Sequence, residues 1–379
     1  MDIIESVKKN KSIYFVYKHF MSIGVNVLKH FVKADDHLIL FVSYGGRYYN
    51  DSPRCIYEEM IQDPRFSNYK LVWAFRHPED MPVNRKIKID TLQYYITALK
   101  ARCWITNVIV ERGLNFTGKK TYYFHTTHGT LPKYTGNDEV NKAVFGSTFR
   151  YKYDCSCAQS EVEKKLQLSM FGLKPEQVLV CGYPKNDRLA IASLDMQCRI
   201  KHKLGIEVDK KVILYAPTYR ECTEKNGKLG IDFGKWQRKL GENYVILFRS
   251  HPVIAQKYDL SEYSNIIDVS SYPDNMELMI ASDYMISDYS GIFFEYAILD
   301  RPMFCYAYDY DDYIKTRGLY MDLRKELPSG SEDEILEMIK DDDKKMIMEK
   351  VREFKEKYVV EYGHATKIAV ENIYSHIRG

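Results

Sequence analysis

The segment Ser287-Asp288-Tyr289-Ser290-Gly291-Ile292-Phe293-Phe294-Glu295-Tyr296 follows the short apolar run Tyr284-Met285-Ile286 without a break. A buried strand that ends in small polar residues and turns into an amphipathic helix leaves backbone N–H groups unpaired beyond its carboxyl end, where an anion can bind. Ser290 and Gly291 suit a phosphate, because Gly lets it approach the backbone and a Ser hydroxyl caps the helix or donates to a phosphate oxygen. The plainer alternative is a turn that carries Ser and Gly for capping alone. Two further apolar runs end in the same way. Val212-Ile213-Leu214-Tyr215-Ala216 leads into Pro217-Thr218-Tyr219-Arg220, and Tyr244-Val245-Ile246-Leu247-Phe248 leads into Arg249-Ser250-His251-Pro252. Parallel sheets bind ligands beyond the carboxyl ends of their strands, so these ends point to one phosphate-binding site.

The elements that must position these groups alternate along the chain. Strands are expected at Leu38–Val42, Leu71–Phe75, Cys103–Thr106, Thr121–Phe124, Cys155–Ala158 and Val178–Val180. Helical stretches fall between several of them, including Leu92–Ala101 and one opened by the capping-box pattern Ser160 with Glu163. A second series comprises Val212–Ala216, Tyr244–Phe248, Ile266–Val269, Tyr284–Ile286 and Met303–Tyr306. Such alternation implies an α/β fold of two doubly wound, mainly parallel domains facing each other. The expected division is an amphipathic segment over 1–34, an N-terminal domain over 35–190, a C-terminal domain over 191–360 and a terminal helix within 361–379.

In the first segment Ile13, Val16, Phe20, Ile23, Val27 and Phe31 recur at helical spacing, while Lys18, Ser22, Asn26, Lys29 and Lys33 follow the opposite face. Lys18 and Lys29 interrupt any run long enough to span a bilayer. Two readings stand. Either the stripe packs on the domain behind it, or it lies in a membrane interface. There Lys8, Lys9, Lys11, Lys18, Lys29 and Lys33 would each contribute about 1 kcal/mol towards anionic lipid.

A chain of 379 residues with net charge +3 accommodates both domains and gives no argument for nucleic acid. Its 32 tyrosines are read mainly as packing residues. The eight cysteines lack paired CxxC spacing and read as buried thiols. With no signal peptide apparent, a reducing, cytoplasmic compartment is expected.

Taken in order, His128-Gly129-Thr130, Gly182-Tyr183-Pro184-Lys185-Asn186-Asp187, Tyr215-Ala216-Pro217-Thr218-Tyr219-Arg220, Arg249-Ser250-His251-Pro252, Ser287-Asp288-Tyr289-Ser290 and Asp300-Arg301-Pro302 resemble the CDP-glycerol glycerophosphotransferases of teichoic acid synthesis. The likeness runs from Tyr122 to Pro328, and what precedes it matches only in general character. Gly291 and Glu295 depart from it, standing where Ser and Asp are common.

The resemblance implies a GT-B-like arrangement, with the nucleotide on the C-terminal domain, the acceptor on the N-terminal one and the helix His364–Ile377 crossing back. It implies transfer of glycerol phosphate from CDP-glycerol to an acceptor hydroxyl, with release of CMP. The implied acceptor is an undecaprenyl-diphosphate-linked saccharide at the cytoplasmic side of the cell membrane, and no cofactor is called for. His128 is then the candidate base, since an imidazole of ordinary pKa, about 6.5, is largely neutral at cytoplasmic pH. His251 is the second catalytic candidate, as a donor to the pyrophosphate. Thr218, Arg220, Arg249, Ser290 and Gly291 would bind the pyrophosphate, Glu295 would reach the ribose, and Lys185, Asn186 and Asp187 would meet the transferred phosphate or the acceptor. Arg301 either joins them or shapes a turn.

A metal site at His125-x-x-His128 is disfavoured, because the pair is not held on one helical face and no Glu completes the motif. Within the family, CDP-ribitol as donor and a polymerase rather than a primase remain open, the short chain favouring the primase. Outside it stand a nucleotide-sugar glycosyltransferase of the same fold and a non-catalytic membrane scaffold.

Overall fold

The computed structural model describes residues 11–139, 151–218, 230–250 and 258–378. Continuous apolar runs such as Leu38–Val42 form strands buried on both faces, which parallel pairing between helical layers requires. The N-terminal sheet contains β1 (Asp35–Val42), β2 (Lys70–Phe75), β3 (Lys86–Lys88), β4 (Ala101–Thr106), β5 (Tyr122–His125), β6 (Cys155–Ala158) and β7 (Val178–Val180). Their order is β3-β2-β1-β4-β5-β6-β7, with every pairing parallel. The C-terminal sheet contains β8 (Lys211–Tyr215), β9 (Tyr244–Phe248), β10 (Ile266–Asp268), β11 (Tyr284–Ser287) and β12 (Met303–Cys305), in the order β10-β9-β8-β11-β12, again parallel. In both sheets the chain winds outward in one direction, returns to the middle and winds the other way. The reversal falls between β1 and β4 in one domain and between β8 and β11 in the other. At such a point successive loops diverge and leave a crevice.

β3 is absent from the sequence reading. It is a three-residue edge strand, Lys-Ile-Lys, in which only Ile87 is buried, and charged residues on an edge strand carry little apolar signal. The helix after β11 also differs from expectation. It is Ile292–Tyr296, continued by a 3-10 turn, and all five of its residues are buried rather than amphipathic. It lies beneath the helix Lys345–Tyr358, with the Phe294 ring tilted against Phe354 at 5.0 Å between centroids. The Ser160 hydroxyl accepts from Glu163 N, but the Glu163 carboxylate takes Gln159 N and the Tyr183 hydroxyl instead of closing a capping box.

The helix Lys11–Phe31 docks in the opposite sense to a stripe that packs. Val25 and Val32 are buried against the N-terminal domain, while Phe20 and Phe31 are 68% and 83% exposed and Ile13, Val16, Ile23 and Val27 are exposed with them. The docked face is mixed: Met21 and Leu28 pack on the same core as Val25, while Ser22 Oγ accepts from Asn115 N at 3.0 Å, Asn26 donates to Asn115 O at 2.7 Å, and Lys29 donates to Thr117 Oγ1 at 2.8 Å. No helix among the described residues is long and apolar enough to cross a membrane.

At the other end of the chain, Ala365–Ile377 lays Ala369, Val370, Ile373 and Ile377 against Ile39, Phe41 and Trp73 of the N-terminal sheet. The approach is fixed by Gln159 O, which accepts from Val360 N and Glu361 N, and by Gly182, where a Cβ would stand 2.4 Å from Glu361 O. Asp187 completes the joint. Its carboxylate accepts from Ala365 N at 3.0 Å and Thr366 N at 2.8 Å, filling the N-terminus of the crossing helix from a distant loop. Asp187→Ala is expected to cost about 0.5–2 kcal/mol, the usual range for losing such a cap. Denaturant unfolding would show it as a lower midpoint at unchanged slope.

Candidate functional site

Both switch points open onto the same interdomain space. On the N-terminal side β1 ends in Ser43-Tyr44-Gly45-Gly46, and Tyr44, Gly45, Gly46 and Asp51 all have positive φ, so this loop is tightly coiled. The Tyr44 N–H donates to Asn107 Oδ1, just past β4, at 2.8 Å. On the C-terminal side Asp288 Oδ1 accepts from Thr218 N at 2.9 Å and from Tyr289 N at 2.7 Å, and Ser287 Oγ donates to Ala216 O at 2.6 Å. Asp288 thereby ties the loop after β8 to the loop after β11.

Between the two lies a cleft of about 400 Å³, bordered by Tyr44, His128 and Lys185 from one domain and by Arg249, Ser290 and Glu295 from the other. Its narrowest place is backbone against backbone, since a Cβ on Gly291 would stand 2.3 Å from the Thr130 carbonyl oxygen. Gly129, at φ +134°, likewise allows Glu295 to approach, a Cβ there being 3.0 Å from Glu295 Oε1.

Lys185 is the hub. Its ammonium lies 2.6 Å from Glu295 Oε1 and 3.4 Å from Asp51 Oδ2, and it donates to His128 O at 2.7 Å, with all three side chains nearly buried. Burial opposes the lysine charge, but Asp51 and Glu295 outweigh it and hold the pKa above its ordinary value. Burial pushes the Glu295 carboxyl upward, and Lys185 opposes the shift. Tyr44 donates to Asp51 Oδ2 at 3.0 Å, and its phenol is raised above the ordinary value by burial and by that carboxylate.

His128 stands beside this cluster with its ring open to the cleft. Although water can touch the ring, the cleft walls surround it, and this desolvation, reinforced by Lys185, holds its pKa below the ordinary imidazole value. Nδ1 lies 3.4 Å from Asn107 O, an acceptor, so the proton belongs on Nδ1 and Nε2 is left as the basic atom. Thr127, at φ +51°, adds the backbone strain that often accompanies a functional loop.

The remaining candidates separate into two groups. Ser290 caps Ile292 N at 3.3 Å and borders the cleft; Arg249 borders it too, while its Nη1 is fixed by the carbonyls of Val269 and Tyr272, both at 2.9 Å. Thr218 N donates to Asp288, but Thr218 itself does not border the cleft. Arg220 and His251 lie outside the described residues.

Asn186 and Asp187 are not brought to the cleft: Asn186 is buried and donates to Gln159 Oε1 at 3.0 Å, and Asp187 caps the crossing helix. Lys185 does border the cleft, but with its ammonium committed to two carboxylates. Glu295 faces Lys185 in place of open space for a ribose. Arg301 donates to the carbonyls of Ile280 and Ser282, a structural role. His125 is buried, stacks on Tyr153 at 3.9 Å and is pushed down to about 3 by burial. Among the described residues no cluster of His, Cys, Asp and Glu has the makings of a metal site.

A model of the CDP-glycerol:poly(glycerophosphate) glycerophosphotransferase family matches residues 25–377. The chain belongs to this family. A teichoic acid poly(glycerol phosphate) polymerase of Staphylococcus epidermidis is 38% identical over 312 residues, covering 76% of this chain but 43% of the polymerase. A teichoic acid glycerol-phosphate transferase of Staphylococcus aureus is 31% identical over 317 residues, 77% of this chain and 79% of that one. Among solved structures, the wall teichoic acid polymerase TagF, as a variant soaked with CDPG, superposes with a TM-score of 0.84 at 32% identity, covering 97% of this chain and 96% of that one. The GT-B-like architecture is therefore shared across nearly the whole glycerophosphotransferase chain.

Tyr44, Asp51 and Asn107 escape the sequence reading. The signal for the first was present as Gly45-Gly46 directly after a strand, but the roles of all three come from β1 lying next to β4. For Gly291, where the sequence reading expects Ser in many family members, the contact with Thr130 gives a direct test. Gly291→Ser is expected to force the domains apart at this point, costing about 1–3 kcal/mol, the range for overpacking. Thermal unfolding at unchanged midpoint would mean that the domains separate there without cost.

Proposed function

We propose that this chain transfers glycerol phosphate from CDP-glycerol to a hydroxyl of a membrane lipid-linked acceptor and releases CMP, as a primase-type enzyme in teichoic acid or related polymer synthesis. The observation that carries this reading is the convergence of two switch points on one cleft, with a neutral imidazole on one wall and phosphate-binding groups on the other.

In the reaction, the acceptor oxygen attacks the phosphorus that bears glycerol. A new P–O bond forms, the bond to the bridging pyrophosphate oxygen breaks, and CMP leaves with that oxygen. The hydroxyl proton passes to Nε2 of His128. Arg249, Ser290 and the backbone at Gly291 would meet the charge on the leaving phosphate, as positioning and electrostatic stabilisation require in phosphoryl transfer. His251 and Arg220 are assigned to the same phosphates. CDP-ribitol is the second donor to be tried.

CMP release, measured in parallel with CDP-glycerol and CDP-ribitol, tests the reading, and release with neither sinks it. His128→Ala is expected to lower turnover by about 10²–10⁴-fold, the range for losing a general base, with CDP-glycerol binding retained. Loss of binding in a folded variant would move His128 to the donor site. A base must be unprotonated, so activity is present above the His128 pKa and falls as pH drops through it. Because that pKa is depressed, the acid limb of the wild-type profile should lie below about 6.5.

The outward apolar stripe of the N-terminal helix supports a peripheral position on a membrane, for which we propose the cytoplasmic face. Deleting this helix would also remove Val25 and Val32 from the core, so point changes test the idea better. The pair Phe20→Asp and Phe31→Asp should leave stability within about 0.5 kcal/mol, as exposed positions allow, and reduce association with phosphatidylglycerol vesicles. Undiminished association would exclude the helix as the membrane contact.

A further inference from the structure

His128 borders two cavities. Besides the interdomain cleft, a cavity of about 610 Å³ opens within the N-terminal domain, between the His128 loop and the helix Lys11–Phe31. Its wall includes Lys18 from that helix, Lys152, the amides of Asn107 and Asn115, and the rings of Tyr151 and Phe171. The helix closes one side over Gly113, where a Cβ would stand 3.8 Å from Lys18 Cδ.

The charge is one-sided. Lys152 donates to Asn115 Oδ1 at 2.7 Å, and Lys18 rests over the Tyr14 ring at 4.9 Å. Neither is in a salt bridge with a carboxylate among the described residues. Lys29 is held below its ordinary pKa by burial and by the neighbouring Lys152 and Lys119, the mark of an uncompensated positive field. Glu111, which feels Lys152, is itself buried, raised above the ordinary carboxylate range by that burial, and takes a hydrogen bond from Tyr123 at 2.8 Å.

We infer that this cavity is the acceptor subsite. It would take an anionic phosphodiester- or diphosphate-linked polyol or saccharide carried on a membrane lipid, with the phosphate between Lys18 and Lys152, the polyol or sugar against Tyr151 and Phe171, and the free hydroxyl at the imidazole of His128. Three observations converge on it: a histidine shared with the cleft, a pair of lysines without carboxylate partners, and an opening beside the helix whose apolar stripe faces outward. The inference rests on the glycerophosphotransferase reading and replaces Lys185, Asn186 and Asp187 as the acceptor contacts, since those side chains are committed to the ion cluster, Gln159 and the crossing helix.

The test uses the full chain with Lys152→Glu and, as a second variant that fills the cavity without touching its charge, Thr135→Trp. The probes are a farnesyl-linked glycerol phosphodiester and free glycerol 3-phosphate, with CMP release as readout and calorimetry for CDP-glycerol. The expected result is a tenfold or greater rise in KM for the farnesyl probe in both variants, with CDP-glycerol affinity and vesicle association as in the wild type. An unchanged KM in either folded variant, or a parallel loss of CDP-glycerol affinity, overturns the assignment. Equal use of glycerol 3-phosphate and the farnesyl probe by the wild type overturns the lipid-linked source. A wild type that turns over CDP-glycerol while the variants match it removes this subsite alone, whereas a wild type that releases no CMP removes the transferase reading with it.

Discussion

A single ammonium, that of Lys185, holds the two halves of the site in register. Burying a lysine is costly, and it stays charged here only because Asp51 lies on one side and Glu295 on the other, one from each domain. A buried ion pair of this kind is weak evidence for stability, but removing the lysine would leave two carboxylates unpaired in a nearly closed space, a loss of about 3–5 kcal/mol by the usual cost of breaking such a pair. Its effect is therefore specificity of arrangement. The same ammonium fixes the His128 carbonyl, so the loop carrying the imidazole cannot shift without disturbing the contact between domains. Gly129 and Gly291 make that contact sterically feasible.

The parts of this design that could be read from the sequence are those written in consecutive residues. β6, β7 and β9 appear with the expected bounds, because short runs of apolar and small residues stand out between polar flanks, and most other strands differ by a few residues at their ends. β3 shows no such run and was missed. The placing of Arg249 and Ser290 at the cleft was legible for the same reason, since each lies just beyond such a run. Strand order is not written in consecutive residues. Tyr44 and Asn107 meet only because β4 returns to lie beside β1, so their joint support of His128 could not be read from either segment alone. Lys185-Asn186-Asp187 illustrates the opposite case. The motif was visible, yet its members face three different partners, because a 3-10 turn followed by a helix points successive side chains in divergent directions.

The N-terminal helix carries the same lesson in another form. Amphipathic spacing states that a helix has two faces; it does not state which one meets the protein. Here hydrogen bonds and a second apolar row decide together. Asn115 offers an N–H and a carbonyl that Ser22 and Asn26 satisfy, Lys29 reaches Thr117, and Met21, Val25 and Leu28 pack beside them, so the longer apolar stripe is left outside. Each apolar side chain left in water forgoes roughly 25 cal/mol per Å² of apolar surface that burial would gain. A stripe several turns long that forgoes this is a surface awaiting a cover, and a bilayer interface offers one without a dedicated partner.

The orientation of that helix then bears on catalysis as well as on location. With the stripe in an interface, Lys18, on the inward side of the same element, lines the larger cavity together with His128, which also borders the interdomain cleft. The membrane would thus supply one substrate from one side of the imidazole while the nucleotide enters from the other, and neither would need to pass through the other's space. Such an arrangement would favour transfer over hydrolysis of the activated phosphate by holding the acceptor hydroxyl, in place of a water, at the base. It also explains why the polar face of the helix is anchored by directed hydrogen bonds rather than by apolar packing alone. A wall that positions a phosphate beside a base has to hold its distance, and directed bonds fix geometry more narrowly than contact area does.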